Sequence, residues 1–142
     1  MTQSKFRLGT LIATILAMPS IAAGNTALMA ESTTARLPQV MSGAAAYARH
    51  CAACHGSDLA GTDHAPELAG EAFWASWEGK SARQLYGRII STMPLDDPGS
   101  LEAKTVVDIT AFILGANRQA LPAAGYADAN ELDAVTMTEP SD

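Results

Sequence analysis

Cys51, Cys54 and His55 stand together as C-A-A-C-H, and no other cysteine occurs among the 142 residues. This cluster limits what the chain can become more than any other feature. Two thiols cannot build a disulfide framework or a four-cysteine metal site. What remains is chemistry that two sulfurs three residues apart, with an imidazole beside them, perform on one short stretch of backbone. C-x-x-C-H is the pattern of covalent haem attachment. Each thiol adds to a vinyl group on one porphyrin edge, and the next residue is then held beneath the iron. For His55 to present Nε2 to a metal, its Nδ1–H needs an acceptor elsewhere. Three other readings use the same residues. A thioredoxin-like redox pair belongs beside a βαβ unit, which this chain does not show. A zinc site has to recruit His64 and acidic side chains. A structural disulfide between Cys51 and Cys54 closes only a tiny loop.

The start of the chain reads as an address. Lys5 and Arg7 precede a mostly apolar run from Leu8 to Ile21, interrupted by Gly9, Thr10, Thr14, Pro19 and Ser20. A basic segment followed by a short apolar one is the pattern of a secretory signal, expected over residues 1–30 with cleavage after Ala23 or Ala30. The run is too short and broken for a comfortable membrane span of about 20 residues, though an uncleaved anchor is the alternative. Export suits the motif, because the thiols must stay reduced until haem is joined. The expected location is the periplasm. Removing Lys5 and Arg7 leaves 7 basic against 15 acidic residues, a net charge near −8. Such a chain is a poor holder of nucleic acid. No stable membrane insertion is expected after signal removal.

Beyond the signal, residues 31–41 read as a flexible lead-in. Val40 to Ala53 is alanine-rich, with Gly43, Tyr47 and Ala48 spaced to share a helix face. Gly56, Gly61, Pro66 and Gly70 make residues 56–72 an irregular loop. Phe73 to Trp77 is long enough for one helical turn. Ser81 and Gln84 have capping-box spacing ahead of Leu85, Ile89 and Ile90, so a helix begins there. Pro94 ends it, and Asp97-Pro98-Gly99 is turn chemistry, which makes Asp96 and Asp97 turn residues rather than an acid–base pair. The last long helix starts at Ser100 or Thr105, carries Val106, Ile109, Phe112 and Ile113, and closes at Gly115-Ala116-Asn117. The tail from Arg118 holds at most one short helix, around Asn130 to Val135. Its Pro, Gly and acidic content reads as a surface extension, with wrapping of the domain or contact with a partner as alternatives. No segment alternates as a strand does, so the fold class is all-α, with three main helices and long loops that need something to pack against.

For a second axial ligand, Met93 stands immediately before Pro94, which fixes the chain direction. Met41 and Met137 are rivals from the two ends. His50 is too close to the attachment site to reach the far face, and His64 lies in the proximal loop. A core methionine is the ordinary alternative for Met93.

Residues 42–117 resemble a class I cytochrome c domain, leaving 118–142 as a C-terminal extension. The matching pieces are Gly43 and Tyr47 with C-A-A-C-H at 51–55, A-P-E-L at 65–68, T-M-P at 92–94 and D-I-T-A-F-I-L at 108–114. The resemblance implies a cytochrome c fold around one covalently bound haem c, joined through Cys51 and Cys54 and ligated by His55 and Met93. It implies that the first and last helices cross at Gly43 with Tyr47 and Phe112 around the crossing. It implies further that the Pro66 carbonyl accepts the His55 Nδ1–H and that Leu68 presses on the haem. Trp74 or Trp77, with Lys80 or Arg83, could serve a haem propionate, although both indoles also read as packing. Leu85, Tyr86, Ile89 and Leu95 are expected to form a dry wall near Met93. The stretch F-W-A-S-W-E-G-K-S-A-R-Q-L-Y-G-R-I with T-M-P-L-D-D-P-G-S-L is similar to small cytochromes associated with PQQ-dependent dehydrogenases. The expected function is single-electron transfer between redox proteins, with such a dehydrogenase as donor and a terminal oxidase or another cytochrome as acceptor. The chain is not expected to be an enzyme, except as the cytochrome subunit of a dehydrogenase. The alternative is a haem enzyme or gas-binding sensor with a displaceable sixth ligand.

Overall fold

The alanine-rich segment ahead of the cysteines forms helix α1 over residues 38–50 of the computed structural model, which describes residues 38–141. Alanine is the best helix former because ordering it costs no side-chain entropy. The helix is already in place at Pro38, so residues 38–41, expected as part of a lead-in, belong to α1. The signal expected over 1–30 lies outside the described residues. After a turn at Cys51 the chain coils once more as α2, Ala52–His55. The remaining helices are α3 (Glu71–Trp77), α4 (Ala82–Thr92) and α5 (Ala103–Ala116), followed by a 3-10 helix at Ala129–Ala134. Among the described residues only isolated bridges occur, Thr62 with Ala65 and Ser81 with Thr136, and the chain is all-α as expected.

Local chemistry sets the helix limits. The Gln84 side chain reaches back to accept the Ser81 N–H at 3.0 Å, so α4 starts where the capping-box spacing put it. Thr92 is its last residue, with Met93 as C-cap before Pro94. Asp97 and Ser100 donate backbone N–H groups to the Pro94 and Asp97 carbonyls, which makes 94–100 a pair of tight turns. α3 is longer than the single turn expected, because Glu71 and Ala72 join it ahead of Phe73.

α5 is the axis of the core. Val106, Val107, Ile109, Ala111, Ile113 and Leu114 are all buried along it. α4 packs against α5 through a stripe that buries Leu85, Tyr86 and Ile89. α1 crosses α5 at Gly43. A Cβ at Gly43 would lie 2.0 Å from the Asp108 carbonyl oxygen and 2.8 Å from Phe112 Cβ, so the two backbones touch. Beside the crossing, the Tyr47 and Phe112 rings meet at 5.3 Å with a 49° tilt.

The tail is not a surface extension. Tyr126, Leu132 and Met137 are buried in the main core. The Gln39 side chain of α1 holds Tyr126 by both backbone groups, its Nε2 donating to the Tyr126 carbonyl and its Oε1 accepting the Tyr126 N–H, each at 2.8 Å. The same Nε2 donates to Asp108 of α5 at 2.9 Å. Pro122 and the acidic side chains of this segment from Asp128 to Glu139 are exposed, but the three inward-facing side chains decide where it lies.

Because no methyl fits between the helices, Gly43→Ala must push α1 from α5. The expected loss is at least about 1–3 kcal/mol, as for overpacked cores. Denaturant unfolding of the holoprotein should show a lower midpoint with an unchanged slope.

Candidate functional site

The C-A-A-C-H segment follows directly from α1. Cys51 donates its N–H to the Tyr47 carbonyl at 2.8 Å, and His55 donates to the Cys51 carbonyl at 2.9 Å. Helical winding through 52–55 therefore fixes the relation between the cysteines and the histidine. Cys51 is half-buried, Cys54 is exposed, and the two thiols are not joined. His55 is buried at 9 % exposure. Its Nδ1 lies 2.8 Å from the Pro66 carbonyl oxygen, which can only accept. The ring proton therefore sits on Nδ1, and Nε2 keeps its lone pair for a metal.

The loop after His55 is folded to deliver that carbonyl. Gly56 turns the chain with φ +79°, a conformation open to glycine. Tyr47 donates its hydroxyl proton to the Gly56 carbonyl at 2.6 Å, tying the turn to α1. Gly61 donates its N–H to the His55 carbonyl at 2.9 Å with φ +73°. A Cβ there would come within 2.7 Å of the Glu67 nitrogen, so the loop doubles back on itself. Thr62 donates its hydroxyl to the Cys54 carbonyl at 2.6 Å. Leu59 is buried with φ +62°, an uncommon conformation for a leucine. Its carbonyl accepts the Leu68 N–H at 2.8 Å.

Asn117 anchors the far side of this loop. It is buried just past α5 and donates Nδ2–H to the Leu68 carbonyl at 2.8 Å and to the Ile113 carbonyl at 2.9 Å. Its Oδ1 accepts the Gly70 N–H at 3.3 Å. One amide thus joins the end of α5 to the chain that carries Pro66 and Leu68. The sequence marks Asn117 only as a helix terminator, and Gln39 carries no signal at all. Both are polar residues at the ends of apolar helices, and apart from Ile113 their partners are 47 to 87 positions distant.

The other expected residues separate clearly. Met93 is half-buried against the core at the C-terminal end of α4. Met137 is fully buried but joined by backbone bonds to Gly79 and Lys80, at the opposite end of α4. The helix between them is about 16 Å long, so the two sulfurs serve different places. Met41 is 68 % exposed, and His50 and His64 are also exposed. Leu85, Tyr86 and Ile89 are buried, and Leu95 is 78 % exposed. The turn that follows Pro94 carries it outward. Trp74 is packed in the core with Phe73, and Lys80 and Arg83 lie over the Trp77 and Tyr86 rings at 5.1 and 4.9 Å.

This donor set fits haem c. Burial, with Cys54 adding to it, pushes the Cys51 thiol up to about 11. A redox-active cysteine needs the opposite shift, toward thiolate. Among the described residues no three His, Cys, Asp or Glu side chains gather to hold an ion, so His64 does not complete a zinc site. An oriented imidazole with a free Nε2, directly after two unjoined thiols on one helical segment, is what covalent haem attachment requires.

Comparison with known proteins agrees with this geometry. Residues 38–113 match the family model described as cytochrome c oxidase, cbb3-type, subunit III. The chain is similar in structure to the crystal structure of the sulfane dehydrogenase SoxCD from Paracoccus pantotrophus, with a TM-score of 0.58 and 24 % identity. That similarity covers 69 % of this chain and 52 % of the other, so this chain spans about half of the neighbour's length. No curated protein matches significantly. Among the described residues no helix is long and apolar enough to cross a membrane.

Burial, with Cys51 and Asp58 adding to it, raises the Tyr47 phenol to about 12. The folded state thus keeps a proton that an unfolded tyrosine loses near 10. Tyr47 contributes its full stabilisation below pH 10 and loses it as pH rises from 10 toward 12. Unfolding midpoints across that range should fall less steeply in Tyr47→Phe than in the wild type. The variant should also be less stable at pH 7 by about 1 kcal/mol, for the lost bond to Gly56.

Proposed function

Because the chain belongs to the c-type cytochrome family described as cytochrome c oxidase, cbb3-type, subunit III, and its domain is accordingly a haem-binding, electron-transfer one, we propose that it works as a periplasmic mono-haem carrier of single electrons. The observation that carries this reading is His55, held by its Nδ1–H on the Pro66 carbonyl at 2.8 Å so that Nε2 is left for iron. In the proposed holoprotein, Cys51 and Cys54 would form the thioether links, and His55 and Met93 would hold the iron. Bound haem c supplies a ferrous/ferric couple that exchanges one electron without making or breaking a substrate bond.

The chain's own residues serve that exchange by staying still. The Pro66 hydrogen bond keeps the imidazole from rotating and makes it a better donor to the metal. Asn117 and the Leu59–Leu68 bond hold the Pro66 loop in place. A filled sixth position excludes oxygen and peroxide as ligands, which separates a carrier from a haem enzyme or sensor. Buried Leu85, Tyr86 and Ile89 keep water from the side on which Met93 sits and thereby disfavour added positive charge there.

The partners we propose are redox proteins that meet the carrier briefly through a small contact. A PQQ-dependent dehydrogenase is the proposed donor, supported by the similarity of the 73–101 stretch to cytochromes of that kind. A terminal oxidase or another cytochrome is the proposed acceptor. The secretory pattern at Lys5, Arg7 and Leu8–Ile21 supports the periplasm as the place of action.

Expression with a cytochrome maturation system tests the proposal directly. The wild type should keep a haem stain on a denaturing gel, and the double variant Cys51→Ala, Cys54→Ala should lose it. The ferric protein should be low-spin with a sulfur-to-iron charge-transfer band. Met93→Ala should abolish that band, lower the reduction potential and let ferrous iron bind carbon monoxide. A colourless wild type sinks the haem assignment, and an unaltered band in Met93→Ala sinks the distal ligand.

A further inference from the structure

The last part of the chain plays no role in attaching a haem, yet it is built into one end of the helix that leads to Met93. We propose that this tail is a positioning element for the sixth ligand: residues 132–137 fix the N-terminal end of α4, and the helix carries that placement to Met93 at its other end. The proposal rests on the reading of Met93 as the distal ligand.

Three backbone hydrogen bonds join the tail to the start of α4. Gly79 donates to the Met137 carbonyl at 2.9 Å, Met137 donates to the Lys80 carbonyl at 2.9 Å, and Ala82 donates to the Val135 carbonyl at 2.8 Å. Ala82 is the first residue of α4, where an N–H has no partner within the helix. The tail therefore supplies a partner for an N–H that the Ser81–Gln84 capping box leaves open. Side chains reinforce it. Leu132 and Met137 are both fully buried, and the 3-10 helix that carries Leu132 packs on α4.

The tail can locate α4 because it is itself tied down. Gln39 grips Tyr126 from α1. Gln119 donates to the Thr138 carbonyl and accepts the Thr138 N–H, and Glu78 accepts the Glu139 N–H at 2.6 Å. Met93 sits at the other end of the same helix. Its N–H closes the last turn on the Ile89 carbonyl at 3.0 Å, and its side chain packs against the core. A helix is a stiff connector over about 16 Å, so loosening one end moves the other. Met137, at the opposite end of that helix from Met93, acts through its volume.

The test uses holoprotein variants Met137→Ala, Leu132→Ala and Met137→Leu, read by the charge-transfer band and by carbon monoxide binding to the ferrous form under conditions where all remain folded. Both alanine variants should keep covalent haem and shift the ligation equilibrium about tenfold toward the open form. Carbon monoxide should bind about tenfold more readily, in proportion to the open population. Met137→Leu, which keeps the volume without sulfur, should match the wild type. Should Met137→Ala and Leu132→Ala fail to fold, Met137→Val applies the same test with a smaller truncation. Unchanged carbon monoxide binding in the folded truncation variants overturns the proposal. Loss of the band in Met137→Leu also overturns it, because Met137 would then be the ligand. If Met93→Ala keeps the band, the ligand assignment itself has failed, and that result is distinct from either outcome above.

Discussion

Helices α1 and α5 touch backbone to backbone at Gly43, and both halves of the site hang from that contact. α1 leads through one turn at Cys51 into α2, which carries Cys54 and His55. α5 ends at Asn117, whose amide holds the chain around Leu68. The 2.8 Å bond between His55 and Pro66 therefore joins two segments whose separation is set by one helix crossing. Packed interiors do not deform gradually, so a spacing fixed at the crossing is felt at the imidazole.

The second feature is how little of the site relies on charge. Among the described residues the ion pair at the crossing, Lys104 with Asp108, is a helical i, i+4 pair, and Asp108 also accepts from Gln39. The site itself is held by carbonyl oxygens that accept from imidazole, hydroxyl and amide hydrogens. Such bonds locate atoms without an ion pair next to a metal. For a centre whose charge changes by one unit in each cycle, neutral surroundings keep the reorganisation of nearby groups small.

The third is the use made of the tail. A chain whose core is interrupted by long irregular loops has to bury apolar surface elsewhere. Tyr126, Leu132 and Met137 do so, closing over α4 and α5. The same segment satisfies backbone groups at the start of α4 that no residue in that helix can reach.

Much of this was legible in the linear chain, wherever the cause is local. C-A-A-C-H declares its chemistry because adjacent residues must meet one porphyrin edge and one metal. Ser81 with Gln84, Met93 with Pro94, and Asp97-Pro98-Gly99 mark boundaries because caps and turns are decided within four residues. Gly43 and the Pro66 carbonyl were legible through family resemblance, since nothing local demands them. The burial of the tail, the exposure of Leu95, and the clamps at Gln39 and Asn117 were decided only by tertiary structure. Their partners are dozens of residues away, and composition cannot say which few side chains of a polar segment will turn inward. The sequence by itself determined what the chain can bind and where its helices break. The folded structure decided which distant carbonyl and which distant tail hold that chemistry in place, because a hydrogen bond or an apolar contact between remote segments exists only once the core has brought them together.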